Sequence, residues 1–173
     1  DYIHVNNSGS TNNGTANESA TPYITSCQGF FVEVDETNAT YNNEVHFTNA
    51  MRVAGNNTQF FSPAQEDRKR CWINLTNDNN DFNQILFAFT ENATDQYDRL
   101  YDGRKMKGNP NVAFYSKLNQ EDYAIQGLYP PAINQSKTIP LGVDAWVTGE
   151  YTIALDSLDH WPGNYQLVLT DLI

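Results

Sequence analysis

Apolar positions along this chain fall in short runs, and within many of them they alternate with polar ones. In Cys71-Trp72-Ile73-Asn74-Leu75 the alternation puts Cys71, Ile73 and Leu75 on one face and Trp72 and Asn74 on the other. That period of two is the mark of a half-buried strand. The run Gln84-Ile85-Leu86-Phe87-Ala88-Phe89 is apolar on both faces, which predicts a central strand covered on both sides. Further strands are predicted at 29–34 (preceded by Tyr23-Ile24-Thr25), at 44–47 leading into Ala50-Met51-Arg52-Val53, and at 112–117, 123–128, 137–141, 149–155 and 165–170. The connectors carry turn chemistry, as in Asn77-Asp78-Asn79-Asn80-Asp81, Gly108-Asn109-Pro110 and Trp161-Pro162-Gly163-Asn164. No 3.6-residue period runs through the chain, although 95–105 has room for one helical turn. About nine short strands at regular spacing predict an all-β fold, a β-sandwich or jelly-roll-like single domain over residues 23–173.

Residues 1–22 break the pattern. Asn, Ser, Thr and Gly dominate them, which predicts a polar linker or long surface loop, with one short strand at 2–5. The start lacks the basic and apolar regions of a signal peptide. No run of 18 apolar residues occurs, so no transmembrane segment is expected. The last run, 165–173, reads as a strand without a closing turn, and the polypeptide is expected to continue past Ile173.

Composition narrows the function classes. Of 173 residues, 39% are hydrophobic and 13% aromatic, enough for a packed core and unlike a disordered acidic tail. The formal charge of -11 argues against a nucleic-acid partner, which needs clustered Lys and Arg. The basic residues gather at Arg68, Lys69 and Arg70 and at Arg104, Lys105 and Lys107, beside carboxylates, and read as solvated loops.

Several stretches, in order, resemble one family. They are Cys27-Gln28-Gly29-Phe30-Phe31-Val32, Ala50-Met51-Arg52-Val53 with Asn57-Thr58-Gln59-Phe60-Phe61, Trp72-Ile73-Asn74-Leu75, and Phe82-Asn83-Gln84-Ile85-Leu86. Thr94-Asp95-Gln96-Tyr97-Asp98 with Tyr101-Asp102, Ala124-Ile125-Gln126-Gly127-Leu128, and Ile139-Pro140-Leu141-Gly142 with Gly149-Glu150-Tyr151-Thr152-Ile153 follow. This order resembles the β-rich module near the C-terminus of Bacteroidota surface proteins that precedes a type IX secretion sorting domain. The resemblance implies export, an extracellular or cell-surface location and a structural or adhesive role beside other modules of the same surface protein. It supplies no catalytic residues, and the sorting domain does not follow within this sequence.

Candidate sites are sparse. Cys27 and Cys71 each open a predicted strand. A disulfide between them would close a loop of about 43 residues and stabilise by roughly 4 kcal/mol; two buried free thiols are the alternative. Glu91, Asp95, Asp98 and Asp102 form an oxygen-rich cluster that is a candidate for calcium, as do Asp78 to Asp81. Turn and capping chemistry is the competing account. Trp72 and Trp161, with Trp146, Tyr129 and Tyr151, are candidates to stack on sugars, against the alternative of core packing. Sequons mark Asn6, Asn13, Asn17, Asn38, Asn56, Asn74, Asn92 and Asn134. Of these, Asn38, Asn56, Asn92 and Asn134 are the glycosylation candidates, together with Ser157 in Asp156-Ser157-Leu158, a tripeptide similar to a Bacteroidota O-glycosylation signal.

His4, His46 and His160 have no ligand spacing, no nucleophile motif is present, and nothing selects a carboxylate pair from Glu33, Glu91, Asp95 and Glu121. The chain is expected to be non-enzymatic and to need no cofactor other than calcium. Its expected partners are glycans or like subunits, the latter in an extracellular filament.

Overall fold

The computed structural model describes residues 2–12, 14, 30–32, 45–52, 68–132 and 135–171. The chain divides into two units, Asp1–Ala20 with Pro63–Ile173, and Thr21–Ser62. The division falls inside the region expected to form one domain from residue 23 onward.

The first unit is all-β. Its strands are β1 (Val5–Asn6), β2 (Gly9–Ser10), β3 (Lys69–Asn77), β4 (Phe82–Phe89), β5 (Gly103–Arg104), β6 (Val112–Leu118), β7 (Glu121–Leu128), β8 (Leu141–Ala145) and β9 (Tyr151–Asp159). β1 and β2 make a small hairpin, and the other seven form a mixed sheet in the order β8-β6-β7-β4-β3-β9, with β5 also on β7. β4 and β7 run parallel, and the other pairings are antiparallel.

Turn residues close the β3–β4 and β6–β7 hairpins of the large sheet. Between β3 and β4, the Asn77 side-chain oxygen accepts the N–H groups of Asn79 and Asp81, and Asn80 takes φ 62°, a left-handed conformation that Asn tolerates. Asn119 does the same between β6 and β7 at φ 57°.

The sheet curls around an apolar core of Leu75, Ile85, Phe87, Phe89, Val112, Phe114 and Leu128, with Ile73, Leu141, Tyr151, Ile153 and Trp161 packed against it. Register fixes the other face. Arg70, Trp72 and Asn74 lie opposite Ala88, Leu86 and Gln84, while Leu86 and Ala88 lie beside Ile125 and Gly127. β4 is therefore buried along both faces, as its uninterrupted apolar run predicts.

That second face is covered by residues 2–12, which composition assigns to a linker or surface loop. Ser8 and Thr11 are buried. The Ser8 hydroxyl donates to the Tyr101 carbonyl at 2.7 Å, and the Thr11 hydroxyl accepts the His4 N–H at 3.1 Å. Short polar side chains can pack over a sheet when their polar groups find partners, as Ser8 and Thr11 do here, while His4 Nε2 and Asn6 Nδ2 are buried without one. Gly127 makes room for the cover: a Cβ there would lie 2.5 Å from Tyr101 Cβ.

Other expectations differ from the structure. Residues 165–170 form no strand, and Val168 is 81% exposed. Alternation gives β-propensity, but a strand also needs an edge to pair with. Pairing in β8 begins at Leu141, where the predicted strand ends, and β9 extends past its predicted end to Asp159. The segment 95–105 does hold the one helical turn expected: the Tyr101 and Asp102 N–H groups donate to the Asp98 carbonyl at 2.8 Å, and the Asp98 and Asp102 carboxylates accept the Thr94 and Asp98 N–H groups.

In the second unit, described at 30–32 and 45–52, no described residue lies in a strand. Asn49–Met51 form a 3-10 turn where a strand is predicted, and Phe30 packs edge-on against Phe47 at 6.0 Å.

Candidate functional site

Trp72 stands on the hairpin-covered face of β3, at the rim of a cleft of about 190 Å³ lined by Ser10, Thr11, Asn12, Gln84, Asp156 and Ser157. Its indole N–H donates to the Ser10 carbonyl at 2.8 Å, so the N-terminal hairpin fixes the ring's tilt. Gln84, on the neighbouring strand, accepts the Asn12 N–H at 2.9 Å and donates to the Asn74 side-chain oxygen at 2.8 Å. Asn74 in turn donates to Asp156 at 2.9 Å. The amides therefore form a chain that orients the carboxylate.

Asp156 reaches the cleft through a bulge. Trp72 pairs with Ser157 while Ile73 pairs with Leu155, leaving Asp156 as the extra residue. An extra residue re-aims side chains locally, and here Asp156 and Ser157 both line the cleft. Both are exposed. The result is the Trp72 indole beside acceptor oxygens, an amide and hydroxyls. Such a set, polar for the most part, suits a small ligand with several hydroxyl groups. Asp156 is the one carboxylate among the described lining residues.

Trp161, the other stacking candidate, belongs to the opposite side of the sheet. It packs against the core, with its ring 5.8 Å from Phe89 and 6.0 Å from Tyr165. Tyr151 packs there too, and its hydroxyl donates to the Val147 carbonyl. The aromatics do not converge on one platform, because they are divided between the two faces.

The acidic candidates spend their oxygens within the fold. Asp102 is buried and accepts the Gly127 N–H at 2.8 Å and the Asp98 N–H at 2.6 Å. Burial lifts its pKa to about 6; the two backbone hydrogen bonds pull the other way and the Asp98 charge adds to the rise. Asp98 accepts from the Thr94 N–H and hydroxyl, Asp95 pairs with Lys137, and Glu91 is exposed. Asp81 accepts from Asn77, Asn109 and Asn111, and the bonds from Asn111 and Asn77 lead in holding its pKa below the usual value. Among the described residues, no group of three or more His, Cys, Asp or Glu could hold a metal ion.

Cys71 is a buried free thiol whose pKa burial raises to about 11; Cys27 lies outside the described residues. So do Asn38, Asn56 and Asn134, whereas Asn92 is exposed. Asn74 has both ends of its amide engaged in the cleft.

The basic clusters are less solvated than their sequence context implies. Arg68 is buried, with its guanidinium 5.8 Å from the centre of the Tyr101 ring. Arg70 bonds the Ser8 carbonyl and Asp159. Lys107 bridges Asp122 at 2.9 Å and Asp144 at 2.6 Å, and Lys105 reaches Asn83.

Sequence reasoning isolates Trp72 but misses Gln84 and Asp156. The one available signal was the polar pair Asp156-Ser157 interrupting an apolar strand.

A family model described as "Domain of unknown function (DUF8693)" matches residues 1–172. No curated protein and no solved structure matches the chain.

Proposed function

We propose an adhesive, non-enzymatic role for this chain, which belongs to the DUF8693 family: a module of an exported cell-surface protein that holds one sugar residue of a glycan in the cleft beside Trp72. The observation that carries the reading is the Trp72 indole, fixed by the Ser10 carbonyl at the rim of a space of about 190 Å³, with the Asp156 carboxylate oriented by Asn74 and Gln84. An indole face packs against the C–H face of a pyranose, and an oriented carboxylate accepts two sugar hydroxyls. A glycoside hydrolase needs a second carboxylate flanking the bond, and among the described residues the cleft lining supplies Asp156 alone. Export through a type IX pathway, beside other modules of the same protein, is supported by the order of motifs along the sequence.

The test is a glycan array probed with wild type, Asp156→Ala and Ser157→Arg, the last filling the cleft from an exposed position. Binding to a defined glycan class, reduced at least tenfold by both substitutions and unchanged by a chelator, is the expected result. Silence across the array, or binding indifferent to both substitutions, would sink the reading.

A further inference from the structure

Away from the cleft, Asn83 and Lys105 meet inside the fold. Asn83 is 0% exposed and bridges β4 to β6. Its amide nitrogen donates to the Phe82 and Val112 carbonyls at 2.8 and 3.3 Å, and its oxygen accepts the Phe114 N–H at 3.3 Å. It fills the place where β6 leaves β7, since their pairing is confined to Ser116–Leu118 and Glu121–Tyr123. The Lys105 Nζ lies 2.6 Å from the same oxygen, and the Lys105 backbone N–H is tied to the Asp122 carbonyl at 2.8 Å.

We infer that Lys105 and Asn83 join in an intramolecular isopeptide bond. The Lys105 Nζ attacks the Asn83 Cγ; an Nζ–Cγ bond forms, the Cγ–Nδ2 bond breaks, and Nδ2 leaves as ammonia carrying the proton that the amine gives up. One amide replaces another, so no oxidant, reductant or energy source is consumed.

The geometry favours each part of the step. With a carbonyl bond of about 1.23 Å, Cγ lies within about 4 Å of Nζ, near attacking distance. The Phe114 N–H already points at the oxygen that gains charge in the tetrahedral intermediate, and such a donor in a dry site is worth more than in water. The nucleophile must be the neutral amine. Burial, and secondarily the charge of Lys107, bring the Lys105 pKa down to about 8. His4 lies within electrostatic reach of Lys105. Burial first, and then that charge, lower its pKa to about 4, so near neutral pH it is an uncharged base. Its buried Nε2 has no hydrogen-bond partner.

The deciding measurement is the intact mass of the whole chain made in a host that adds no glycans, followed by a tryptic map. The expected mass is below that of the sequence by one ammonia, with peptide 71–99 joined to Lys105-Met106-Lys107 and cleavage after Lys105 blocked. Lys105→Arg should return the mass to the sequence value. A wild-type mass equal to the sequence overturns the inference. So does ammonia loss without the branched peptide, as a succinimide at Asn13-Gly14 would give, or loss that persists in Lys105→Arg.

Discussion

On one face of β4, Ile85, Phe87 and Phe89 meet apolar side chains from the curled sheet. On the other, Gln84, Leu86 and Ala88 are equally buried, beneath a hairpin whose contacts are mainly hydrogen bonds: Trp72 to the Ser10 carbonyl, Arg70 to the Ser8 carbonyl, and Asn12 to Gln84. Both faces exclude water by different means. Apolar burial is non-directional, so its worth follows area and fit. A polar cover depends on each bond being made, because an orphaned buried group costs its full desolvation. The polar face therefore gives up energy per contact but holds side chains in fixed directions, and the candidate binding cleft opens on that face.

The largest effect should come from the apolar face. Phe87→Ala is expected to cost about 3–5 kcal/mol, read as a lower urea midpoint. A cost under about 1 kcal/mol would mean that the core is not the dominant support. On the polar face, Gly127→Ala puts a Cβ 2.5 Å from Tyr101 Cβ and 3.0 Å from the Ser8 hydroxyl. It should cost about 1–3 kcal/mol and raise amide exchange in residues 5–11 before the core responds; uniform loss of protection would show that the cover and the core open together.

Arg70→Met removes the donor to the Ser8 carbonyl and the ion pair with Asp159. The half-exposed ion pair contributes little, so the expected cost is about 1 kcal/mol, from the hydrogen bond. Glycan binding should weaken along with it if the hairpin truly sets the Trp72 ring.

The smallest effect is a slope. Asp102, near the boundary between cover and sheet, has its pKa raised to about 6, above its unfolded value of about 3.9. Between those values the folded chain holds more protons than the unfolded one, so this group's contribution to stability falls as pH rises from about 4 to 6 and stays lost above that. Urea midpoints across that range should decline less in Asp102→Asn than in wild type; equal slopes would place the titration elsewhere.

Where the pattern of apolar positions is strong, the fold is legible from sequence. β3, β4, β6 and β7 stand where alternation or a two-faced apolar run puts them, because those patterns record which faces are buried. Of the hairpin of residues 5–10 the sequence shows only a short strand at 2–5, which meets β1 at Val5, for the converse reason: its burial rests on partners such as Tyr101 and Arg70, which are remote in sequence, and hydropathy does not encode hydrogen-bond partners. Residues 165–170 show the opposite failure, with propensity present and no edge to pair with. At the cleft, Trp72 could be found because Ile73 faces the core. Its companions Gln84 and Asp156 depend on the β3–β4 register, which leaves no local signature, and on a bulge in β9 whose one local trace is the polar pair Asp156-Ser157.

The parallel contact of β4 with β7 also sets a timetable. The β3–β4 and β6–β7 hairpins close over short turns, an event of about 1–10 μs. They cannot become one sheet until β7 has been carried back alongside β4 in the same direction, with everything from Thr90 to Gln120 looped between them. β9 must then find β3, farther away still along the chain. Such distant pairings pay their loop entropy before they return any contact energy, and domains built from them fold in milliseconds to seconds. Refolding through separate half-sheets with open edges is the expectation from this topology, and mixing refolding chains at rising concentration should then lower the yield of monomer.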